Sequence, residues 1–347
     1  MPDERMSEES RARESPANGD KTSRFEMTPG LFHCIRSRCA EVTRWAQDVR
    51  IDDQGLAAFA ERLANESWSE DDLDPAHFFA GNESETLAFV ITLDAINFGS
   101  GWFPMLRKRP DMSGYQSIAM ACRERFEAEG SWNGEALRSA TPEAMSKLLG
   151  QDVNNAEIGQ LMSLYARAWR DLGVWLASEY DDRFETVIDR ANESAERLVS
   201  SLAMMPLYRD VSPYGELEVP FYKRAQITAA DLHRAFGDSR FGRFDDLEGL
   251  TLFADNLVPH VLRCAGVLVY DGSLAGRIEA GELLVVGSPE EVEIRAVAVE
   301  AVERIVSALA RLGRPISAHA LDGILWNAGQ APAIKARPRH RARSAYY

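Results

Sequence analysis

The chain has 347 residues, 45% of them hydrophobic and 27% charged, which is enough apolar material for a sizeable core in one large or two fused domains. Its net charge of −15 disfavours a duplex-DNA or intact-tRNA partner, whose phosphates are ordinarily met by a basic surface. A single nucleotide held by two or three local cations stays open, whereas no run approaches the ~20 apolar residues of a membrane helix.

Residues 1–24 are rich in Glu, Arg, Ser and Asp, contain no apolar run, and read as a disordered tail without the apolar region of a signal peptide. A soluble, cytoplasmic protein is therefore expected. From Thr28 to Glu66 apolar residues recur at three and four, interrupted near Ile51–Gly55, and Leu87 to Asn97 reads as a buried helix. Phe98-Gly99-Ser100-Gly101-Trp102-Phe103-Pro104 then admits two readings. It is either a helix stop whose aromatics plug the core, or a stacking wall for a planar base, with glycines that let backbone approach a ligand.

Helical periodicity continues over Tyr115–Glu129, Ala144–Leu149, Asn155–Glu179 and Arg183–Leu202, with Trp169 and Trp175 placed in the core. After a loop through Pro213, Gly215 and Pro220 comes the densest stretch, Phe221-Tyr222-Lys223-Arg224-Ala225-Gln226-Ile227 followed by Ala230-Asp231. Arg224, Ile227, Thr228 and Asp231 fall at i, i+3, i+4 and i+7, so a cation and a carboxylate share a helix face with Lys223 alongside. Such spacing describes a solvated face or a nucleotide site. Asp255, the single acid of an apolar window, reads as the N-cap of a helix beginning near Val258-Pro259 or as a desolvated carboxylate.

Ile278 to Glu303 reads as one long amphipathic helix whose run Glu290–Arg295 is a solvated face, and the basic stretch Arg337–Tyr347 folds back on the protein or frays. There is no internal repeat, no G-x-G-x-x-G, no P-loop and no alternation long enough for a large sheet, so the chain is expected to be mostly helical. Cys34, Cys39, Cys122 and Cys264 lack paired spacing and the six histidines lack ligand spacing, so no disulfide, metal or cofactor is expected.

Taken in order, several segments resemble the queuosine salvage protein family, the queuosine 5'-phosphate N-glycosylases. They are Leu93-Asp94-Ala95 with Asn97-Phe98 and Trp102, Arg209-Asp210, the Phe221–Asp231 block, Phe253-Ala254-Asp255 with Val258-Pro259, Glu291–Arg295, Leu325-Trp326, and His340-Arg341-Ala342-Arg343 with Tyr346-Tyr347. The likeness spans roughly residues 30–347, and Gly99-Ser100-Gly101 lengthens the usual Asn-Phe to Trp interval. The resemblance implies an all-α fold, a single globular helical domain over 25–347 similar to the helix-hairpin-helix DNA glycosylases. It also implies hydrolysis of queuosine 5'-monophosphate to queuine, for reuse in tRNA modification; a monomer without a cofactor is expected.

Cleaving an N-glycosidic bond develops positive charge at the ribose C1' and negative charge on the departing base. Queuine is a 7-deazapurine, so protonation at N7 is unavailable and departure must be aided at another edge. Under the resemblance Asp231 is the first choice for the carboxylate that stabilises the oxocarbenium ion or orients water, and Asp255 is the second choice, as a base-edge acceptor or a second carboxylate. Lys223, counted among the catalytic residues, joins Arg224 and the basic closing residues as a phosphate partner. Phe98, Trp102 and Phe103 are stacking candidates and Asn97 reads a base edge. Asp210, Tyr222, Gln226, His340 and Tyr347 complete the substrate-binding set, with His33 and His77 as weaker members whose alternative is a structural role. Competing readings are a DNA glycosylase, which the charge disfavours, a non-catalytic queuine or nucleotide-binding module, and a helical scaffold without a site.

Overall fold

The computed structural model describes residues 30–68 and 81–347. The tail expected over residues 1–24 and the candidate His77 lie outside the described residues.

Helix α1 (Leu31–Trp45) buries Phe32, Ile35, Cys39 and Val42, one stripe of the expected periodicity. Strand β1 (Val49–Ile51) and the cap Asp52, whose carboxylate accepts the Gly55 N–H at 2.8 Å, interrupt the pattern at the expected place and start α2 (Asp53–Asn65). Helix α3 (Glu83–Asp94), capped by Asn82, buries every residue from Thr86 to Asp94. Then come α4 (Gly114–Glu129) with a Ser113/Gln116 capping box, α5 (Gly134–Arg138), α6 (Pro142–Leu149) and α7 (Ala156–Glu179), whose Trp169 and Trp175 are core residues. Helices α8 (Phe184–Ala191) and α9 (Ala195–Leu202) lead to a hairpin of β2 (Val211–Tyr214) and β3 (Leu217–Pro220), turned at Gly215 with φ +58°.

The second half is α10 (Lys223–Phe236), α11 (Val258–Cys264), β4 (Leu268–Tyr270), α12 (Gly272–Glu279), β5 (Leu283–Leu284), α13 (Pro289–Arg311), α14 (Ala318–Ala328), α15 (Pro332–Lys335) and β6 (Arg341–Ala342). β1 pairs antiparallel with β4 and β2 with β3, while β5 and β6 pair in parallel. The architecture is mostly helical around one hydrophobic core, a single domain in which α13 packs against α1, α2, α11, α14, β1 and β2, and α3 against α4, α8 and α10. Among the described residues no helix is long and apolar enough to cross a membrane.

Two expectations change. The stretch Ile278–Glu303 is not one helix, because Gly281 and Gly287 adopt φ of +75° and +74° and Ser288 with Pro289 begins α13 afresh. The run Glu290–Arg295 is not a solvated face either: Glu291, Glu293 and Arg295 are all buried. Glu293 accepts the backbone N–H groups of Gln47, Asp48 and Val49 and the Tyr214 hydroxyl, so it anchors the turn between α1 and β1.

The basic stretch folds back. Arg341 and Ala342 pair with β5, the Tyr347 carbonyl accepts from Gly99 N at 2.9 Å, and Arg343 pairs with Glu157. The backbone that Gly101 admits is therefore the chain's own. A Cβ at Gly101 would lie 2.2 Å from the Ala342 carbonyl oxygen. His340 is buried with neither ring nitrogen hydrogen-bonded, and burial, with Arg339, His260, Arg295 and Arg263 adding cationic repulsion, lowers its pKa to about 3.

Gly101→Ala is expected to lower stability by about 1–3 kcal/mol, as overpacking does, and to open residues 337–347 to proteolysis. Gly272→Ala, with nothing near its added methyl, serves as the unaffected control in the same denaturant titration. For His340 the unfolded chain takes up a proton near the ordinary histidine pKa and the folded chain does not until about 3. Its contribution is thus intact above the unfolded value and declines as pH falls through that window, by up to ~1.4 kcal/mol per pH unit. His340→Leu should flatten this acid-side decline when unfolding is followed between pH 7 and pH 5. An unchanged slope would assign the loss to other groups.

Candidate active site

Helix α10 begins under strain. Tyr222 sits in the left-handed region at φ +46° and offers no side-chain cap, and Asp210 takes over that role from the start of the hairpin. Its carboxylate accepts the Lys223 N–H at 3.1 Å and its carbonyl accepts those of Phe221 and Tyr222 at 2.9 and 3.3 Å. The opening turns of α10 are consequently buried from Lys223 through Gln226, and Lys223 is aimed inward, its Nζ donating to the Asn97 carbonyl at 3.3 Å.

Lys223, Ile227, Asp231 and Arg234 line a cavity of about 690 Å³. Its floor carries three carboxyl groups. Asp231 is 5% exposed and its Oδ1 accepts from Arg234 Nη1 at 2.6 Å, an i, i+3 pair inside α10. Half-buried, Asp255 lines the cavity, and its Oδ1 accepts the N–H groups of Leu257 and Val258 at 2.7 and 3.0 Å at the start of α11, the capping role its sequence context suggested. Asp322, from α14, accepts the Phe253 N–H at 3.1 Å.

Burial, with Asp255 adding to it, pushes Asp322 well above the usual carboxylate range. Behind the floor, burial and then Asp231 push Asp94 the same way, Thr228, Lys223 and Asn97 opposing only in part. Burial lowers Lys223, with Asp255, Asp322 and Asp94 pulling against it.

The rim has the opposite sign. Lys108, Lys335, Arg337, Arg339 and Arg341 all line the cavity. Burial lowers Lys108, helped by the like charges of Arg339 and Lys335. Burial also lowers Arg339, with Asp255 opposing and Arg341 reinforcing. Among the described residues none of Lys108, Lys335, Arg337 and Arg339 has a carboxylate within ion-pair distance. In a chain of 54 acids and 39 bases, four unpaired cations at one mouth make an anion-attracting rim. Aromatic walls complete the cavity. Phe98, Phe103 and Tyr347 line it together with Tyr115 and Trp326, whose rings meet edge to face at 6.4 Å.

The cavity thus gathers Asn97, Phe98, Phe103, Lys223, Asp231, Asp255 and Tyr347 from the sequence-predicted set. The other candidates do not line it, each for a visible reason. Arg224 is spent on the Ala95 and Leu207 carbonyls between the rings of Phe98 and Tyr208, and Gln226 on Phe221 O and Thr251. Trp102 is buried, with its indole donating to Gln160, and Asp210 is held by Arg295. Tyr222 forms the strained turn, His340 is buried within the basic stretch, and His33 stands exposed on α1 beside Ser37.

Sequence reasoning missed Asp322, Arg234, Tyr115 and Lys108. Asp322 and Trp326 stand at i, i+4, a spacing that puts both on one face and was there to be used. Lys108, inside Arg107-Lys108-Arg109, has the look of any surface cation.

A family model described as queuosine salvage protein matches residues 76–347. A protein of Sphaerobacter thermophilus named queuosine 5'-phosphate N-glycosylase/hydrolase is 35% identical over 332 residues, 92% of this chain and 99% of that protein. Proteins of the same name from Dictyostelium discoideum and Mus musculus are each 28% identical, over 90% and 87% of this chain and 98% and 95% of theirs. The chain belongs to the queuosine salvage protein family.

Proposed function

We propose that the chain hydrolyses the N-glycosidic bond of queuosine 5'-monophosphate, releasing queuine and ribose 5-phosphate, with residues 25–347 acting as one catalytic unit. The observation that carries this reading is the polarity of the cavity, an acidic floor beneath a basic rim with aromatic walls between. A nucleotide with a phosphate at one end and a ribose bond to be broken at the other needs that gradient.

Asp231 is the carboxylate that meets positive charge growing at C1' and orients the water, and Arg234 at 2.6 Å fixes its rotamer. Asp322 supplies what a 7-deazapurine lacks. Its carboxyl, pushed well above the usual carboxylate range by burial and by Asp255, is the proton donor to the departing base. Lys223 stands between the two functions, a buried cation tethered to the Asn97 carbonyl and facing the floor carboxyls rather than the rim. The phosphate goes to Lys108, Lys335 and Arg339, and Phe98 and Phe103 flank the base. The ligand is a small molecule, and the reading takes the protein as a cytoplasmic monomer.

Incubating the protein with queuosine 5'-monophosphate, queuosine and guanosine 5'-monophosphate, and separating the products by chromatography, tests the reading directly. Queuine is expected from the queuosine nucleotide, slowed ~10³-fold or more in Asp231→Asn. Nucleotide binding without release by a folded wild-type protein would instead make it a binding module. Arg339→Ala and Lys108→Ala should each raise KM for the 5'-monophosphate about 10–100-fold, the worth of one charge-assisted hydrogen bond, and leave turnover of the unphosphorylated nucleoside unaltered. Equal losses on both substrates would place the phosphate elsewhere.

A further inference from the structure

One cluster of charges next to the cavity has no part in the chemistry above: Asp210, Glu291 and Arg295, at 2%, 0% and 1% exposure. Arg295 uses every edge of its guanidinium. Nη1 and Nη2 donate to the two oxygens of Asp210 at 2.9 and 2.6 Å, Nε donates to the Ala254 carbonyl at 3.0 Å, and the plane lies 3.9 Å from the Phe221 ring centre and 4.7 Å from that of Tyr347. One turn earlier on α13, Glu291 accepts the Tyr347 hydroxyl at 2.7 Å and the Gly287 N–H at 3.1 Å.

The far ends of these bonds are what matter. Asp210 accepts the Lys223 N–H, Ala254 immediately precedes Asp255, and Tyr347 is a cavity wall docked on Gly99. Three segments remote in sequence therefore meet on one side chain. A lysine could supply the charge but neither the two-point fork nor the stacked plane, so these positions ask for arginine in particular.

We propose that Arg295 is a positioning residue for the glycosidic-bond reaction: through Asp210, Ala254 and Tyr347 it sets Lys223, Asp255 and the Tyr347 wall in one register, with Glu291 as the second tether of Tyr347. The proposal rests on the reading of the cavity given above. Its rival is a purely structural ion pair, under which turnover per folded molecule stays constant however much stability falls.

The test compares Arg295→Lys, Glu291→Gln and Tyr347→Phe with wild type, each assayed well below its own unfolding midpoint, with kcat and KM normalised to folded protein and backbone amide exchange measured in parallel. Arg295→Lys is expected to lose about 100-fold in kcat with KM moved less than about 3-fold, the pattern of misplaced groups rather than lost binding. Tyr347→Phe, which keeps the ring and removes the hydroxyl, should lose less, about 3–10-fold, and Glu291→Gln, whose amide oxygen still accepts from that hydroxyl, should lose no more than Tyr347→Phe. Exchange should rise at Lys223, at residues 254–257 and at residues 343–347, and stay unchanged in α7.

Unchanged kcat per folded molecule, or exchange that rises evenly through the protein, overturns the proposal. Should Arg295→Lys fail to fold, the two milder variants decide. Should wild type release no base from any nucleotide, the glycosidase reading falls, whereas the register claim is still decided by whether exchange rises in those three segments alone.

Discussion

A helix that starts with two cations sets the terms for the rest of this structure. The N-terminus of α10 carries the positive end of its dipole and four unsatisfied N–H groups, and the chain puts Lys223 and Arg224 there, both buried. Nothing about local propensity favours that arrangement. It is tolerated because distant groups arrive to neutralise it: the Asp210 carboxylate on the Lys223 N–H, the Asn97 carbonyl on Nζ, and the Ala95 and Leu207 carbonyls on the Arg224 guanidinium. Asp210 is itself compensated by Arg295 from α13. Removing one member leaves an unpaired buried charge, which costs about 3–5 kcal/mol, so the cavity floor and the long central helix stand together.

The electrostatics of the cavity follow from this arrangement. Asp231, Asp255 and Asp322 share a small volume with Lys223, and burial, with the Asp255 charge adding to it, pushes Asp322 well above the usual carboxylate range. A carboxyl whose surroundings push its proton affinity up is the kind of group that acid–base chemistry uses as a donor. Among the described residues Lys108, Lys335, Arg337 and Arg339 have no carboxylate within ion-pair distance, and Asp255 acts on Arg339 only from farther off, so the field of this rim is little cancelled locally.

Much of the fold could be read from local rules, since caps are local. Asp52, Asn82, Ser113, Asn155 and Ser288 each stand where their helix starts, and Asp255 does so while facing the cavity. What could not be read was the surroundings of a face. Arg224 and Asp231 do share one, as i, i+7 spacing requires, but near Arg224 it is packed on the end of α3 and near Asp231 it opens on the cavity. The Glu290–Arg295 run fails for the same reason: Tyr347 on Glu291, residues 47–49 on Glu293 and Asp210 on Arg295 are partners more than 50 residues away in the chain. Burial of a charge is decided by pairs remote in sequence, which periodicity cannot register.

The glycines at 99 and 101 show how such a pair can be mistaken for something local. Beside three aromatics they read either as a helix stop or as backbone left bare for a ligand, in an interval before Trp102 longer than usual. In the folded chain Gly99 N donates to the Tyr347 carbonyl, and Gly101 leaves room for the Ala342–Arg343 backbone, so this loop is the seat of the basic stretch. The same stretch carries Arg337, Arg339, Arg341 and Tyr347 into the cavity lining, and Tyr347 returns through Glu291 to α13. The interval at 99–101 and the residues at 340–347 are therefore two halves of one contact. A change of length or bulk in either half acts on the ligand through the other, by moving the rim cations and the Tyr347 wall relative to a floor that α10 and α13 hold still.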